Sequence, residues 1–321
     1  MRKLVVLLMV MLLAVVGCKK NQETQGVSSD NTIIIGIAKI IAHPALDAIE
    51  KGVIDEFAAQ GYDNVTFDLQ SANGEMSTAA SIASKFKQEK ATMVLGIATA
   101  MAQTLANSMK DTPVFFSAVT DPISAGLRTN ATQENTNITG VSDMTPVKEQ
   151  IELIAKFVPL KKLGFIYNSG ENNSIDLLKI TQKVCDDMGV ELITNTVTNT
   201  SEVKQASEVV SPNVDAIYVS TDNVVSASLM SVTASAAKYK VPVVFAAPTG
   251  SEGQGVLVSY GVDYYKAGRE TGKMMIRVLN GEKPGDIPVK YMTSAEELSM
   301  YIDENVAKNL GITIPADLVG K

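Results

Sequence analysis

Apolar residues along the chain fall into short runs separated by longer stretches of helical period. The runs Ile33–Ala38, Val65–Leu69, Met93–Ile97, Val114–Ala118, Leu163–Tyr167, Leu192–Val197, Ala216–Ser220, Val243–Ala246 and Val256–Ser259 predict strands. Several are apolar throughout, as suits parallel strands covered on both faces. Between them, Leu46, Ile49, Val53 and Phe57 share one face after Pro44, and Met101, Leu105 and Met109 share one after Thr99. Thr145-Pro146 reads as a helix start, with a hydroxyl N-cap and proline in the first turn. Val147, Ile151, Ile154 and Phe157 form its apolar stripe. These methionine and aromatic stripes are read as core. The alternation predicts an α/β fold, and the pattern restarts near residue 145 to give two βαβ-type halves. A long helix is expected over Gly261–Leu279, after the last strand of the second half. A folded part of about 290 residues exceeds one ordinary core, so two domains are expected.

The first residues set the compartment. Arg2 and Lys3 precede an apolar run of thirteen residues, Leu4–Val16, too short to span a bilayer comfortably but suited to a signal peptide. Val15-Val16-Gly17-Cys18 resembles a bacterial lipobox, which implies cleavage of residues 1–17 and lipid on Cys18. Residues 19–31, KKNQETQGVSSDN, have little to bury and are expected to form a flexible tether. Loss of Arg2 and Lys3 takes the formal charge from -7 to -9. That balance attracts neither nucleic acid nor anionic lipid, so attachment is left to acyl chains such as palmitate. One chain binds marginally, and a lipoprotein cysteine carries more than one. Cys185 is the only other cysteine and reads as a buried, inert thiol.

The chemistry available to catalysis is thin. His43 is the single histidine, so any Ser-His-Asp triad or histidine metal site would have to use it. No HExxH, paired CxxC or EF-hand loop occurs. The stretch GRETGKM at 268–274 is too short for a P-loop, lacks the hydroxyl after lysine and lies in a helical pattern. Gly250, Gly253 and Gly255 lead into a strand, as a turn does. Tryptophan is absent, and no basic aromatic surface suggests nucleic acid. An enzyme built on Asp and Glu stays open, but nothing marks a catalytic pair, and no metal or cofactor is expected.

In open parallel sheets, ligands sit beyond the carboxyl ends of the strands. Those ends carry Lys39 to Pro44, Ala98 to Ala100, Thr120 to Pro122, Asn168 to Ser174, Thr221 to Asn223 and Ala247 to Thr249. The set is rich in hydroxyls, amides and carboxylates, which a free amino acid needs. Its carboxylate suits the helix start at Thr99 and Ala100, and its ammonium needs an acid, with Asp222 or Glu171 as candidates. The same residue types also serve as turns and caps. His43-Pro44 could cap a helix, and Asp121-Pro122 could hold a loop rather than a ligand.

The segments HPALDAIEKGVIDEF, VTDPISAGL, TGVSD, YNSGENNS, STDN and SYGVDYYKAGRETGKM, in that order, resemble the ABC-transporter substrate-binding lipoproteins of the tryptophan/tyrosine-binding type. The resemblance covers roughly residues 32 to 315. It implies a type I periplasmic binding protein: two Rossmann-like lobes with parallel sheets, joined by a three-strand hinge. Lobe 1 would be 32–143 plus about 261–286, and lobe 2 would be 144–260 plus about 287–321. It also implies a free amino acid as ligand, often aromatic, and an ABC permease and its ATPase as partners of a lipid-anchored, extracytoplasmic monomer. The cleft positions would fall at His43, Thr99, Thr120, Asp121, Asn168, Glu171, Ser174, Asp222 and Asn223, with Ala100 beside Thr99. One stretch departs: Lys39-Ile40-Ile41-Ala42 is more apolar than the family's polar loop, and a wall there would accept an aromatic or aliphatic side chain. A nucleoside, sugar or branched amino acid as ligand, a sensing subunit, and a lipid-anchored enzyme are the competing readings.

Overall fold

The apolar runs become strands whose shared order makes two matching halves. A computed structural model describes residues 33–319; the expected signal segment, Cys18 and the tether lie outside the described residues. The strands are β1 (Ile33–Lys39), β2 (Val65–Ser71), β3 (Met93–Ile97), β4 (Val114–Ser117), β5 (Ile138–Ser142), β6 (Lys162–Asn168), β7 (Glu191–Val197), β8 (Ala216–Val219), β9 (Val243–Phe245), β10 (Val258–Val262), β11 (Lys290–Tyr291) and β12 (Leu298–Ile302). The helices are α1 (Pro44–Ala59), α2 (Met76–Gln88), α3 (Thr99–Ser108), α4 (Val147–Phe157), α5 (Asn172–Met188), α6 (Val203–Val210), α7 (Asn223–Ala227), α8 (Leu229–Ala237), α9 (Tyr264–Leu279) and α10 (Glu304–Leu310).

One six-stranded sheet runs β2-β1-β3-β4-β5-β11 and the other β7-β6-β8-β9-β10-β12. Pairing is parallel except between β10 and β12. The chain passes between the sheets after β5, after β10 and after β11, which makes a three-strand hinge. The third passage follows Tyr291, because β11 pairs with β5 in the first sheet; the expected crossing near residue 286 is a few residues early.

Three expectations about element ends are corrected. The strand expected at Val256–Ser259 lies at Val258–Val262, and α9 starts at Tyr264, where Asp263 accepts from the Lys266 N–H at 3.1 Å. Thr145 does not cap α4. Pro146 holds the cap position, and the Thr145 hydroxyl instead accepts from Gln150 Nε2 at 2.5 Å. Gln150 also accepts from the Tyr218 hydroxyl at 2.6 Å, tying the first hinge strand to the second sheet.

Helix α9 returns to the first sheet and packs along α1 with unusually close backbones. A Cβ on Gly268 would stand 2.3 Å from the Ile49 carbonyl oxygen, and one on Gly52 2.4 Å from that of Tyr265. Only glycine permits that approach. The GRETGKM stretch is therefore a packing surface. Glu56, buried in α1, pairs with Arg269 Nε at 2.7 Å beside it. One apolar cluster fills the first half and continues under α6 and α8 of the second; another lies under α4 and α5. Cys185 belongs to the latter, and burial pushes its thiol up to about 11, far from reactive. Among the described residues no helix is long and apolar enough to cross a membrane.

Candidate functional site

Residues just past the strands of both sheets meet around one narrow, largely enclosed space. His43 follows β1, Ala118 follows β4 and Asp143 follows β5. Opposite them, Thr221 and Asn223 follow β8, Ala247 follows β9, and Tyr264 begins α9 after β10. Ser226 of α7 completes the polar lining. This is where an open parallel sheet places its ligand, here built twice, face to face.

The first half contributes mostly backbone. Ala98 and Ala118, at the ends of β3 and β4, have φ of +75° and +54°. A residue with a Cβ holds such a conformation only at a cost. Ala98 is the N-cap of α3, so the strained turn aims the first N–H groups of that helix. Thr99, the first helical residue, is buried and its hydroxyl has no partner. His43 stands before α1 without capping it. Its ring shares the lining with Asn223 of the other half, and Nε2 is buried without a partner. Burial lowers its pKa to about 4, so the imidazole is neutral at neutral pH. Asp143 is buried too, and desolvation raises its pKa. It accepts from the Tyr264 hydroxyl at 2.7 Å and the Thr120 hydroxyl at 3.4 Å.

The second half contributes a dense side-chain frame. Glu171 accepts from Asn168 Nδ2 at 3.2 Å, Asn173 Nδ2 at 3.1 Å, the Asn223 N–H at 3.2 Å and Asn223 Nδ2 at 2.6 Å. Asp222 accepts from the Asn168 N–H at 2.5 Å, the Ser174 hydroxyl at 2.6 Å and the Val225 N–H at 2.9 Å, capping α7. Burial raises both acids, and the charge of Asp222 helps push Glu171 up to about 7. The hydroxyls of Ser220 and Thr221 and the Asn173 Oδ1 are buried without partners.

Of the residues expected from sequence, His43 and Asn223 line the space. Thr99 and Ala100 open α3 at the rim of the first sheet, where the Ala100 carbonyl takes the Thr104 hydroxyl. Thr120 reaches Asp143. Asp121 accepts from the N–H groups of Ile123 and Ser124 at 2.8 and 3.1 Å and so organises a turn. Asn168, Glu171, Ser174 and Asp222 are bonded within the second half's frame, away from the lining. Ile40 is in the core, and neither it nor Ile41 lines the space. Sequence reading missed Asp143, Ser226 and Tyr264. Asp143 and Tyr264 each follow a strand end, so correct placement of β5 and β10 would have found them.

Contacts across the cleft show it closed. Ser124 donates to the Asp176 carboxylate, α3 touches α5, and Gly250 lies so near Pro44 that a Cβ there would be 2.2 Å from the proline Cβ. Among the described residues no group of three His, Cys, Asp or Glu could hold a metal ion. The arrangement offers directed hydrogen bonds, two buried acid centres and apolar walls.

Comparison with known proteins fits this geometry. The profile of the family described as ABC transporter substrate binding protein matches residues 34–321. The chain is 35% identical over 304 residues to the tyrosine-binding protein of Clostridioides difficile (strain R20291), covering 92% of this chain and 87% of that one. It is 35% identical to an ABC domain from Streptococcus pneumonia solved in complex with L-Trp, with a TM-score of 0.85 over 90% of this chain and 97% of that one. It is 33% identical to the ligand-free, open structure of a substrate-binding protein with adhesive properties from Clostridium difficile, with a TM-score of 0.66 over 89% and 97%. At like identity and coverage the fit is better to the complex than to the open form, in agreement with the contacts across this cleft. The chain belongs to the ABC transporter substrate-binding protein family.

Proposed function

We propose that this protein captures a free aromatic amino acid between its lobes by hinge closure and delivers it to an ABC permease and its ATPase. In this reading the lobes are the two sheets with their helices, and lipid on Cys18 holds the protein on the extracytoplasmic face of the membrane. One observation carries the ligand reading. A buried carboxylate, Asp143, and polar atoms without protein partners, those of His43 and Thr221, share one enclosed space. Buried polar groups are almost always paired, so a ligand is the natural partner.

Asp143 takes the ammonium. It faces the space with two donors against it, whereas Asp222 is surrounded by three donors of its own lobe. The ligand carboxylate meets the start of α3, where Thr99 supplies a hydroxyl and the helix dipole favours negative charge. Ala45, Leu46, Ala118 and Ala247 give the apolar wall for a ring. The relatives described as tyrosine-binding and as bound to L-Trp support the aromatic class. A nucleoside or sugar has no ammonium for Asp143.

The test uses residues 19–321, stripped of co-purified ligand by unfolding and refolding, with thermal unfolding followed against each amino acid, nucleosides and sugars. A ligand at a thousand times its Kd adds roughly 4 kcal/mol, which is several degrees for a chain of this size. The expected shift comes with tyrosine, tryptophan or phenylalanine. A shift confined to nucleosides or sugars overturns the amino-acid assignment. Cys18→Ser is expected to release the protein from membranes, and deletion of the protein to abolish uptake of the amino acid.

A further inference from the structure

Away from the hinge segments and the ligand space, the Ser124 hydroxyl donates to the Asp176 carboxylate and joins the two halves directly. Both partners are held firmly by their own side. Ser124 sits in a turn whose N–H groups at 123 and 124 are bound by Asp121, and Gln103 of α3 donates to the Ala125 carbonyl at 2.9 Å. Asp176 lies in the first turns of α5 and takes a bond from Lys179 at 3.1 Å. Each segment is rooted in the site. The turn follows Thr120, which bonds Asp143, and α5 starts next to Glu171, which holds Asn223. The α3–α5 contact lies alongside.

We infer that Ser124 and Asp176 form a latch that forms only when the lobes close, and that sets how long the ligand is retained without touching it. The inference rests on the hinge-closure reading above. It also reassigns Asp121: this carboxylate positions the latch turn. A contact that exists only in the closed form stabilises that form alone, so its loss shifts the open–closed balance and speeds release. The encounter step, which starts from the open form, is left unchanged.

Two measurements test this. Stopped-flow release of L-tyrosine and L-tryptophan is compared in wild type, Ser124→Ala, Asp176→Asn and Ser124→Thr. Inter-lobe distances are measured by electron–electron resonance on labels at the exposed Lys87→Cys and Lys204→Cys, with and without those amino acids. Ser124→Ala is expected to release roughly three- to tenfold faster at an unchanged association rate, as the loss of one hydrogen bond implies. Ser124→Thr keeps the hydroxyl and is expected to behave as wild type, which a merely steric role would not give. The distance distribution is expected to move toward the open form in Ser124→Ala and Asp176→Asn. Identical distributions and release rates in these variants and wild type overturn the latch. Failure of both amino acids to bind counts against the ligand assignment; the latch is then decided by the distance distributions alone.

Discussion

The two lobes share one strand order but build their halves of the cleft by opposite means. The first uses strained backbone: Ala98 and Ala118 hold positive φ at the ends of β3 and β4, and His43 and Asp143 add polar side chains at the ends of β1 and β5. The second has no such residue at the ends of β8 and β9, and instead locks Asn168, Glu171, Asn173, Ser174, Asp222 and Asn223 into one network. The strained turn at Ala98 aims the first N–H groups of α3. A closed side-chain network presents little, but it holds a few groups, such as Asn223, in fixed aim. The first lobe therefore reads as the face that grips the ligand's charged end, and the second as the rigid jaw that closes on it.

The largest expected effect tests the rigid jaw. Asp222→Ala removes the cap of α7 and leaves the Ser174 hydroxyl and the Asn168 N–H buried without acceptors. Lost capping and orphaned polar groups together are expected to cost about 3–5 kcal/mol of stability by urea unfolding of the ligand-free protein. A loss below about 1 kcal/mol would mean that the network does not hold the lobe, and that Asp222 is free for a ligand.

Asp143→Asn tests the gripping face. Breaking a buried charge pair typically costs about 2–5 kcal/mol, so calorimetric affinity for the aromatic amino acid is expected to fall about thirtyfold or more. Stability should change little, because asparagine still accepts from the Tyr264 hydroxyl. If Asp143→Asn binds normally while Glu171→Gln does not, the ammonium belongs to the second lobe and the comparison above is reversed.

That contrast was only half legible in the sequence. The apolar runs of β1, β3, β4, β6, β8 and β9 announced themselves because interior parallel strands are buried on both faces, whereas the edge strands β2 and β7 showed through their β-branched and apolar residues. The ITGVS of β5 mixes polar and small residues, β11 is two residues long, and β12 is a half-buried edge strand, so none gave an apolar run. Missing β5 hid Asp143, and misplacing β10 hid Tyr264. The polar residues of the second lobe were visible as a group, but not their use. Glu171 bonds Asn223 at a separation of 52 residues. Whether a polar residue at a strand end meets the ligand or its own lobe depends on such distant partners, which the strand-end rule does not supply.

The pH dependence sharpens the comparison, because His43 of the first lobe and Glu171 of the second titrate in opposite senses. His43 has a pKa of about 4 in the closed fold against an ordinary 6.5, so the unfolded chain takes the proton first. Its contribution is present above pH 6.5 and is lost as pH falls toward 4. Glu171 is raised from 4.5 to about 7, so the folded state takes the proton first. Its contribution is full below pH 4.5 and is lost as pH rises through 7. Each slope is at most about 1.4 kcal/mol per pH unit. Between pH 4.5 and 6.5 the two should nearly cancel in wild type. His43→Gln is expected to gain stability on acidification across that window, and Glu171→Gln to lose it, by urea midpoints at a series of pH values. Parallel curves for the two variants would mean that neither group is buried as described. Affinity should follow the His43 sense, falling below pH 6.5, since opening exposes the ring to water.

The smallest effect bears on the strained backbone itself. Ala98 has φ +75° and ψ 156°, a region that essentially only glycine occupies without cost. Relief of such strain is worth about 1–3 kcal/mol, against about 0.5–1 kcal/mol for the extra freedom of glycine in the unfolded chain. Ala98→Gly is therefore expected to stabilise the ligand-free protein by about 1 kcal/mol. It should also bind its amino acid slightly more weakly, because the N–H groups at the start of α3 are aimed less firmly. Ala247 is the matched control in the second lobe: it lines the same space without a positive φ. There the same change removes no strain, and Ala247→Gly should destabilise by about 0.5–1 kcal/mol. Opposite signs at these two positions, read from thermal or urea unfolding, would establish that only the first lobe stores strain at its strand ends. Equal signs would leave both halves of the cleft working through side chains alone.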